Sequence, residues 1–321
     1  MSVKIAIIGA GMAGLACATK LSGSAADVHL FDKGRGASGR MASRTSSSRL
    51  GETTFDMGAQ YFTAHSADFA AQVSIWHQFG LVAPWAAAGD GAYVGVPTMN
   101  APLKHMAEKL PVTWSAKIDS LQRSAGQWTL RGEAFEAAGF DLVLVAIPAE
   151  QSAQLLQNHA PDLAGLARKV PSEPCWTLMV SFSAPLSLPE DVVRDCGPIS
   201  WAARNSAKPG RSGPESWVIH ATPEWSKQHL EDDKDSVCND ILGEFSRALN
   251  ISLPEVAGVA AHRWRFARSG KAGVSHLWNA GQGLGVCGDW LLGPRVECAW
   301  TSGNTLAQAV KPYLDTAGTG A

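Results

Sequence analysis

The sequence predicts an α/β protein in which a doubly wound, Rossmann-like domain is interleaved with an α+β second domain. Three observations predict it. An apolar, β-branched run at residues 3–8 leads into a glycine loop and a helical pattern, a second apolar run at 141–148 stops at a proline, and a third at 284–290 lies near the carboxyl end. Continuous apolar runs without polar alternation mark strands covered on both faces, as in a parallel sheet.

At 321 residues the chain is long enough for two domains. We expect residues 1–63, 97–165 and 284–321 in the first and 64–96 with 166–283 in the second. Apolar residues make up 45% and charged residues 17%, so a large core can form and disorder is excluded. The net charge of -2 offers no basic field for nucleic acid or an anionic membrane, which directs attention to a small ligand. No apolar run approaches the ~20 residues of a spanning helix. The six cysteines, at 17, 175, 196, 238, 287 and 298, are widely spaced without a C-x-x-C or zinc pattern. They read as reduced core thiols of a cytoplasmic protein that holds no metal.

In chain order, residues 3–8 form a strand, 12–21 a helix and 28–31 a second strand, giving a βαβ unit that ends at Asp32. A glycine- and arginine-rich loop follows and continues through the polar residues 45–49. Between Lys33 and Arg49 it carries five basic residues and no acidic one. Residues 66–79 place Phe69, Val73, Trp76 and Phe79 at helical spacing, with the aromatics expected in the core. Short strands within 112–130 turn at 124–126, and the strand at 141–148 is expected back in the first sheet. The second domain should contain strands at 177–181 and 216–221 and a helix at 235–249, and a terminal helix should cover 302–313.

The loop Gly9-Ala10-Gly11-Met12-Ala13-Gly14 matches G-x-G-x-x-G between a strand and a helix. Glycines there permit the tight turn and let backbone N–H groups approach a pyrophosphate at a helix N-terminus. Asp32, 18 residues after Gly14, is placed to accept from an adenosine ribose. NAD and FAD share this fingerprint. FAD is favoured by the basic, glycine-punctuated loop, which suits an extended pyrophosphate and ribityl chain. It is favoured also by the strand ending in Gly288-Asp289, whose carboxylate suits ribityl hydroxyls. Eight of the twelve tryptophans lie from Trp176 onward, and Trp290 and Trp300 are expected to wall a flat ring. The run His262-Arg263-Trp264-Arg265 either positions an anionic substrate or is a strand with solvated arginines. No HExxH, G-x-S-x-G, P-loop or close carboxylate pair is present.

Blocks along nearly the whole chain resemble the flavin-containing amine oxidase superfamily, and within it the bacterial renalase branch of dihydronicotinamide oxidases. They are GAGMAG from Gly9, LFDKGRGASGRM from Leu30, DMGAQYFTA from Asp56, SWAARN from Ser200, AHRWRFAR from Ala261, and CGDW with RVECAWTSG near the end. The resemblance implies noncovalent FAD and oxidation of the 2- or 6-dihydronicotinamide isomers of NAD(P)H, with O2 as electron acceptor and H2O2 as product. It adds Lys33, Arg35, Gly39, Arg40, Met41, Gly58, Ala59, Gln60 and Glu297 to the cofactor-binding set. It also places Gln60 and Tyr61 near the isoalloxazine and draws Trp201, Asn205, His220 and Trp264 from the substrate domain. Ser38-Gly39 replaces the family's frequent Gly-Gly. The lysine that amine oxidases place near flavin N5 has no counterpart in the matching stretch Arg263-Trp264-Arg265. An amine oxidase acting on a small amine remains the alternative activity, and a non-catalytic redox sensor the alternative class.

Overall fold

A computed structural model describes residues 2–24 and 26–318. The chain forms two compact units, 1–39 with 103–172 and 269–321, and 40–102 with 173–268. The strands expected at 3–8, 28–31 and 141–148 are found at Val3–Ile8, Ala26–Phe31 and Leu142–Val145. They stand side by side in a six-stranded sheet of the first unit, with Val3–Ile8 paired parallel to both of the others. Leu284–Val286 continues the sheet in parallel, Val112–Thr113 closes the far edge, and Leu277–Asn279 is the single antiparallel strand. The chain leaves Val3–Ile8 toward one neighbour and later returns on the other side. Its carboxyl end is thus a topological switch point, where open α/β sheets bind ligands.

The glycine loop leaves at that switch point and opens the helix Met12–Leu21. That helix packs on the terminal helix Val296–Gly318, which begins six residues before the expected start. Contact is close because the terminal helix presents Gly303, while Gly14 lets its own helix close on the loop before it. A Cβ on Gly303 would lie 2.1 Å from the Ala13 carbonyl oxygen, and one on Gly14 1.9 Å from the Gly9 carbonyl oxygen. Below the sheet, Ile8, Phe31, Val143, Leu156, Trp128 and Trp290 share one core. Cys17 and Cys287 lie buried within hydrogen-bond reach of one another, and burial together with that contact raises the Cys17 pKa well above the usual thiol value.

The second unit is built on a five-stranded antiparallel sheet in the order Val192–Cys196, Ile199–Arg204, Ser216–Ala221, Glu173–Phe182, Val256–Arg268. One face is apolar and covered by the helix Lys234–Leu249, whose Val237, Ile241 and Phe245 meet Trp176, Leu178, Trp217 and Ile219. Asp233 caps that helix by accepting from the amides of Asp235 and Ser236. On the other face, Phe55 and Met57 pack against Met179, Val218 and Ala260.

Three expectations are corrected here. Residues 43–48, read as part of a basic loop, form a strand paired with Gly51–Asp56. That hairpin packs on the five-stranded sheet, so residues 40–63 join the second unit instead of the first, and 97–102 lie there with them. Residues 166–172 and 269–283 join the first instead, where Glu150 accepts from Ser172 and Ala272 donates to the Trp290 carbonyl. Phe79, expected in the core, is 65% exposed: it is the C-cap of Ala67–Gln78, past the last turn that holds Phe69, Val73 and Trp76 inward. Among the described residues no helix is long and apolar enough to cross a membrane, and no group of His, Cys, Asp or Glu could hold a metal ion.

The close approach at Gly303 gives a test. Gly303→Ala should destabilise the protein by ~1–3 kcal/mol through overpacking, read as a lower urea midpoint at unchanged slope. An unchanged midpoint would show that the two helices part without cost.

Candidate functional site

In the first unit the site begins with the glycine loop. Gly9 takes a φ of 106°, in the left-handed region, and its amide donates to the Phe31 carbonyl at 2.8 Å. A Cβ there would meet the Ala146 carbonyl oxygen at 2.5 Å, so both glycine's conformational freedom and its small size are needed. Gly11 is different: a Cβ built on it meets nothing within 4 Å. Gly11 is also the N-cap, without a side-chain cap. The first amides of the helix, including Met12, Ala13 and Gly14, therefore face an open cradle with their N–H groups unsatisfied by helical bonds. Such an end attracts an anion through those amides and the helix dipole.

Asp32 has a duty the sequence reading did not assign. Its carboxylate accepts from Ala10 N at 2.7 Å and from Gly34 N at 2.6 Å, pinning the glycine loop to the turn beyond the second strand. Gly39, with a φ of 50°, approaches the Gly11 Cα, where its own Cβ would come to 3.3 Å. Lys33 and Arg35 are exposed in the same segment. Asp289 and Glu297 are both buried. Trp300 is partly buried. Trp290, expected as a wall for a flat ring, is instead a core side chain: it is 1% exposed, and its indole donates to the Ile147 carbonyl at 3.3 Å.

In the second unit the antiparallel register lines up five side chains across five strands. Arg194 pairs with Trp201, Trp201 with His220, His220 with Thr177, and Thr177 with His262. Directly opposed residues share a face, so this row crosses the sheet on the side away from the helix. Tyr61 stacks on Trp201 with ring centroids 5.2 Å apart. Trp264, two residues beyond His262, lies on the same face and donates to the Met57 carbonyl at 3.0 Å.

Beside the row lies a buried charge cluster. Asp56 is wholly buried and pairs with Lys208 Nζ at 3.2 Å and with Arg211. Its other oxygen accepts from Ser43 Oγ and the Met99 amide, each at 2.9 Å. Lys208 Nζ also donates to Gln60 Oε1 at 2.9 Å, and the Gln60 amide nitrogen donates to the Asp56 and Gly58 carbonyls. This fixes which end of the Gln60 amide points where. The same nitrogen lies 3.5 Å from His220 Nε2. A Cβ on Gly58 would fall 2.1 Å from the Arg40 carbonyl oxygen, which accepts from the Ala59 amide at 2.8 Å. Met41, in the turn Gly39–Met41, is buried.

The electrostatics follow from burial and neighbours. Burial alone would raise Asp56, but the charges of Lys208 and Arg211 and the hydrogen bonds from Met99 and Arg211 hold it below the usual carboxylate value. Burial pushes Lys208 down to about 8, with Arg211 adding to the shift and Asp56 opposing it. Desolvation, with the charge of Lys208 adding to it, lowers His220 to about 4 against an opposing backbone hydrogen bond at Met57. At neutral pH the row therefore presents a neutral imidazole.

Of the residues expected at the catalytic centre, Gln60, Tyr61, Trp201, His220 and Trp264 come together on this face. Asn205 is a correction. It is 1% exposed, accepts from the Asp56 amide at 3.2 Å and donates to the Thr54 carbonyl at 2.9 Å, so its amide is spent on the hairpin. Arg263 and Arg265 both pair with Glu231, the solvated alternative for that stretch. Asp56, Lys208 and Arg211 were missed as a group. The DMGAQYFTA block was the one available signal, and only for Asp56.

The fold thus defines a two-unit α/β protein whose first sheet is Rossmann-like, with a glycine loop at its switch point. A family model described as an NAD(P)-binding Rossmann-like domain matches residues 7–75. Among solved structures the chain is similar to a candidate protoporphyrinogen oxidase from Exiguobacterium sp. 255-15, with a TM-score of 0.73, 13% identity and coverage of 98% of this chain and 99% of that one. It is also similar to cyclohexylamine oxidase from Brevibacterium oxydans IH-35A, with a TM-score of 0.71, 10% identity, and 98% and 100% covered. A third is a CLA-producing fatty acid isomerase from P. acnes, with a TM-score of 0.70, 10% identity, and 95% and 98% covered. At these identities the likeness is one of fold, and folds of this kind carry different reactions.

Two outcomes are expected from the cluster. Asn205→Ala should cost ~1–3 kcal/mol by leaving a buried amide and carbonyl unpaired, seen as a lower thermal midpoint. For His220, the unfolded chain holds a proton below its usual value of 6.5 while the folded chain takes one only near 4. Stability should therefore rise with pH through that window and fall as pH drops from 6.5 toward about 4. His220→Gln should flatten that slope in urea titrations at several pH values; an identical slope in the variant would mean that His220 protonates normally.

Proposed function

We propose that this chain is an oxidase that binds FAD noncovalently and takes a hydride from the 2- or 6-dihydronicotinamide isomers of NAD(P)H, returning NAD(P)+ and passing the electrons to O2 to give H2O2. One observation carries the cofactor reading: the cradle at Gly11 is open where a Cβ would stand, uncapped, and at a sheet switch point, while Gly9 and Gly14 on either side are closed by packing. These residues fit a dinucleotide diphosphate, with Met12, Ala13 and Gly14 amides as donors. Asp289 and Glu297 are buried carboxylates of the same unit, suited to hydroxyl groups of such a molecule. The resemblance of the sequence blocks, not the cradle, selects FAD over NAD as the resident group.

Bound FAD would supply the hydride acceptor and its reoxidation by O2. The chain's own task is then positional. Tyr61, Trp201 and Trp264 offer aromatic surface for a flat ring, and the fixed amide of Gln60 offers polar contact beside them. Loss of a hydride from a dihydronicotinamide restores an aromatic ring without removal of a proton, so no general base is called for. A His220 lowered to about 4 is a weak base, and the row holds no carboxylate, which agrees with that chemistry. Orientation and exclusion of water carry the rate.

The test is the visible spectrum of the purified protein, followed by anaerobic mixing with 6- and 2-dihydroNAD. A flavin spectrum that bleaches with these isomers, with slower bleaching in Tyr61→Phe, is the expected result. Bleaching by small amines and not by dihydronicotinamides would replace this reading with amine oxidation. A colourless protein that takes up no FAD would overturn it.

A further inference from the structure

Arg194 stands at the edge of the transverse row, on the outermost strand of the five-stranded sheet and directly opposite Trp201. Its guanidinium carbon lies 4.2 Å from the Trp201 ring centroid and 5.8 Å from that of Tyr61, so it belongs to the same stack as the aromatic face. One N–H of Nη2 is anchored on the Ala88 carbonyl at 2.6 Å, which aims the fork. Among the described residues no carboxylate pairs with it, in contrast to Arg204 on the neighbouring strand, which holds both Asp191 and Glu215. Arg194 is exposed, so the N–H donors not held by Ala88 face solvent and are open to an anion arriving from it.

Next to it, the indole N–H of Trp201 is buried without a hydrogen-bond partner. A buried unsatisfied donor costs free energy that a ligand acceptor would recover. Two donors, one of them charged, therefore belong to the same stacked pair, and the one protein acceptor between them is the Ala88 carbonyl on Arg194 Nη2. The charge selects an anionic acceptor, and the planar fork favours a phosphate or carboxylate bound bidentately. Arg194 is two strands from His220, roughly 10 Å along the row, so an anion held there would belong to a part of the substrate remote from its ring.

We propose that Arg194 and the Trp201 indole form a subsite for a phosphate group of the substrate, making Arg194 a specificity-determining residue that favours phosphorylated ring substrates over their phosphate-free counterparts. This rests on the functional reading above. It extends that reading by assigning the chain a reason to prefer the dinucleotide over the bare ring and ribose, and to disfavour a cationic amine.

Purified, FAD-supplemented wild-type protein, Arg194→Gln and Arg194→Lys are titrated calorimetrically with NAD+ and separately with nicotinamide riboside, which shares the ring and ribose but carries no phosphate. Arg194→Gln should weaken NAD+ on the order of ten- to hundredfold and leave the riboside unchanged. Arg194→Lys should retain part of the affinity, since the charge stays and the fork is lost. Added salt should weaken NAD+ binding to the wild type more than to Arg194→Gln. Equal losses for both ligands, no loss for NAD+, or a wild type that binds neither, would overturn the subsite. Arg194-dependent NAD+ binding in a protein that oxidises no dihydronicotinamide upholds the subsite and removes the functional reading. Oxidation of dihydronicotinamides by a protein whose NAD+ binding ignores Arg194 does the reverse.

Discussion

Asp56 sits fully out of water in the second unit, and the path of the chain on either side of it depends on how that charge is compensated. A buried carboxylate costs several kcal/mol unless other charges and donors replace its solvent. Here Lys208, Arg211, Ser43 and the Met99 amide do so. These groups come from separate segments, so one anion ties together the hairpin, the turn at Met99 that follows the strand Ala92–Gly95, and the turn that follows the strand Ile199–Arg204. Lys208 then spends a further donor on Gln60, and the five residues from Asp56 to Gln60 acquire one geometry. Tyr61, the next residue, is thereby delivered to its stack on Trp201.

Much of the architecture was legible because it rests on local patterns. Val3–Ile8 and Met12–Leu21 lie where apolar continuity and helical spacing put them, and Gly9 and Gly14 are glycine for steric reasons that the motif encodes. Patterns that depend on distant partners were harder to read. The strand Ser43–Ser48 consists of polar residues and becomes a strand only because Gly51–Asp56 pairs with it, so no alternation announced it. Phe79 matched a helical period that the backbone abandons one residue earlier. Lys208 and Asp56 are 152 positions apart, and no single-sequence spacing rule relates such residues. Asn205 was found through its motif and given the wrong duty, since a motif records a residue's presence and not whether its amide is already spent on backbone.

The solved structures with this fold bear names for different reactions, a protoporphyrinogen oxidase, an amine oxidase and a fatty acid isomerase among them. What distinguishes one such protein from another must then lie in side chains and their charge. Around the face described above, one carboxylate, Asp56, is set against Lys208 and Arg211, and Arg194 adds a further positive group at the edge. Positive excess near an aromatic surface disfavours an ammonium and suits an anion.

The thiols buried in both units bear on how long such a molecule lasts. Oxidants attack the thiolate, and a thiol whose pKa is raised is almost wholly protonated at neutral pH. The contact with Cys287, together with burial, raises Cys17 well above its ordinary value, and burial raises Cys175 to about 12 and Cys238 to about 11. Exposed, acidic thiols are the ones an oxidant such as peroxide damages first. These three sulfurs are held as protonated thiols, so the packing around them also makes the chain durable toward oxidants.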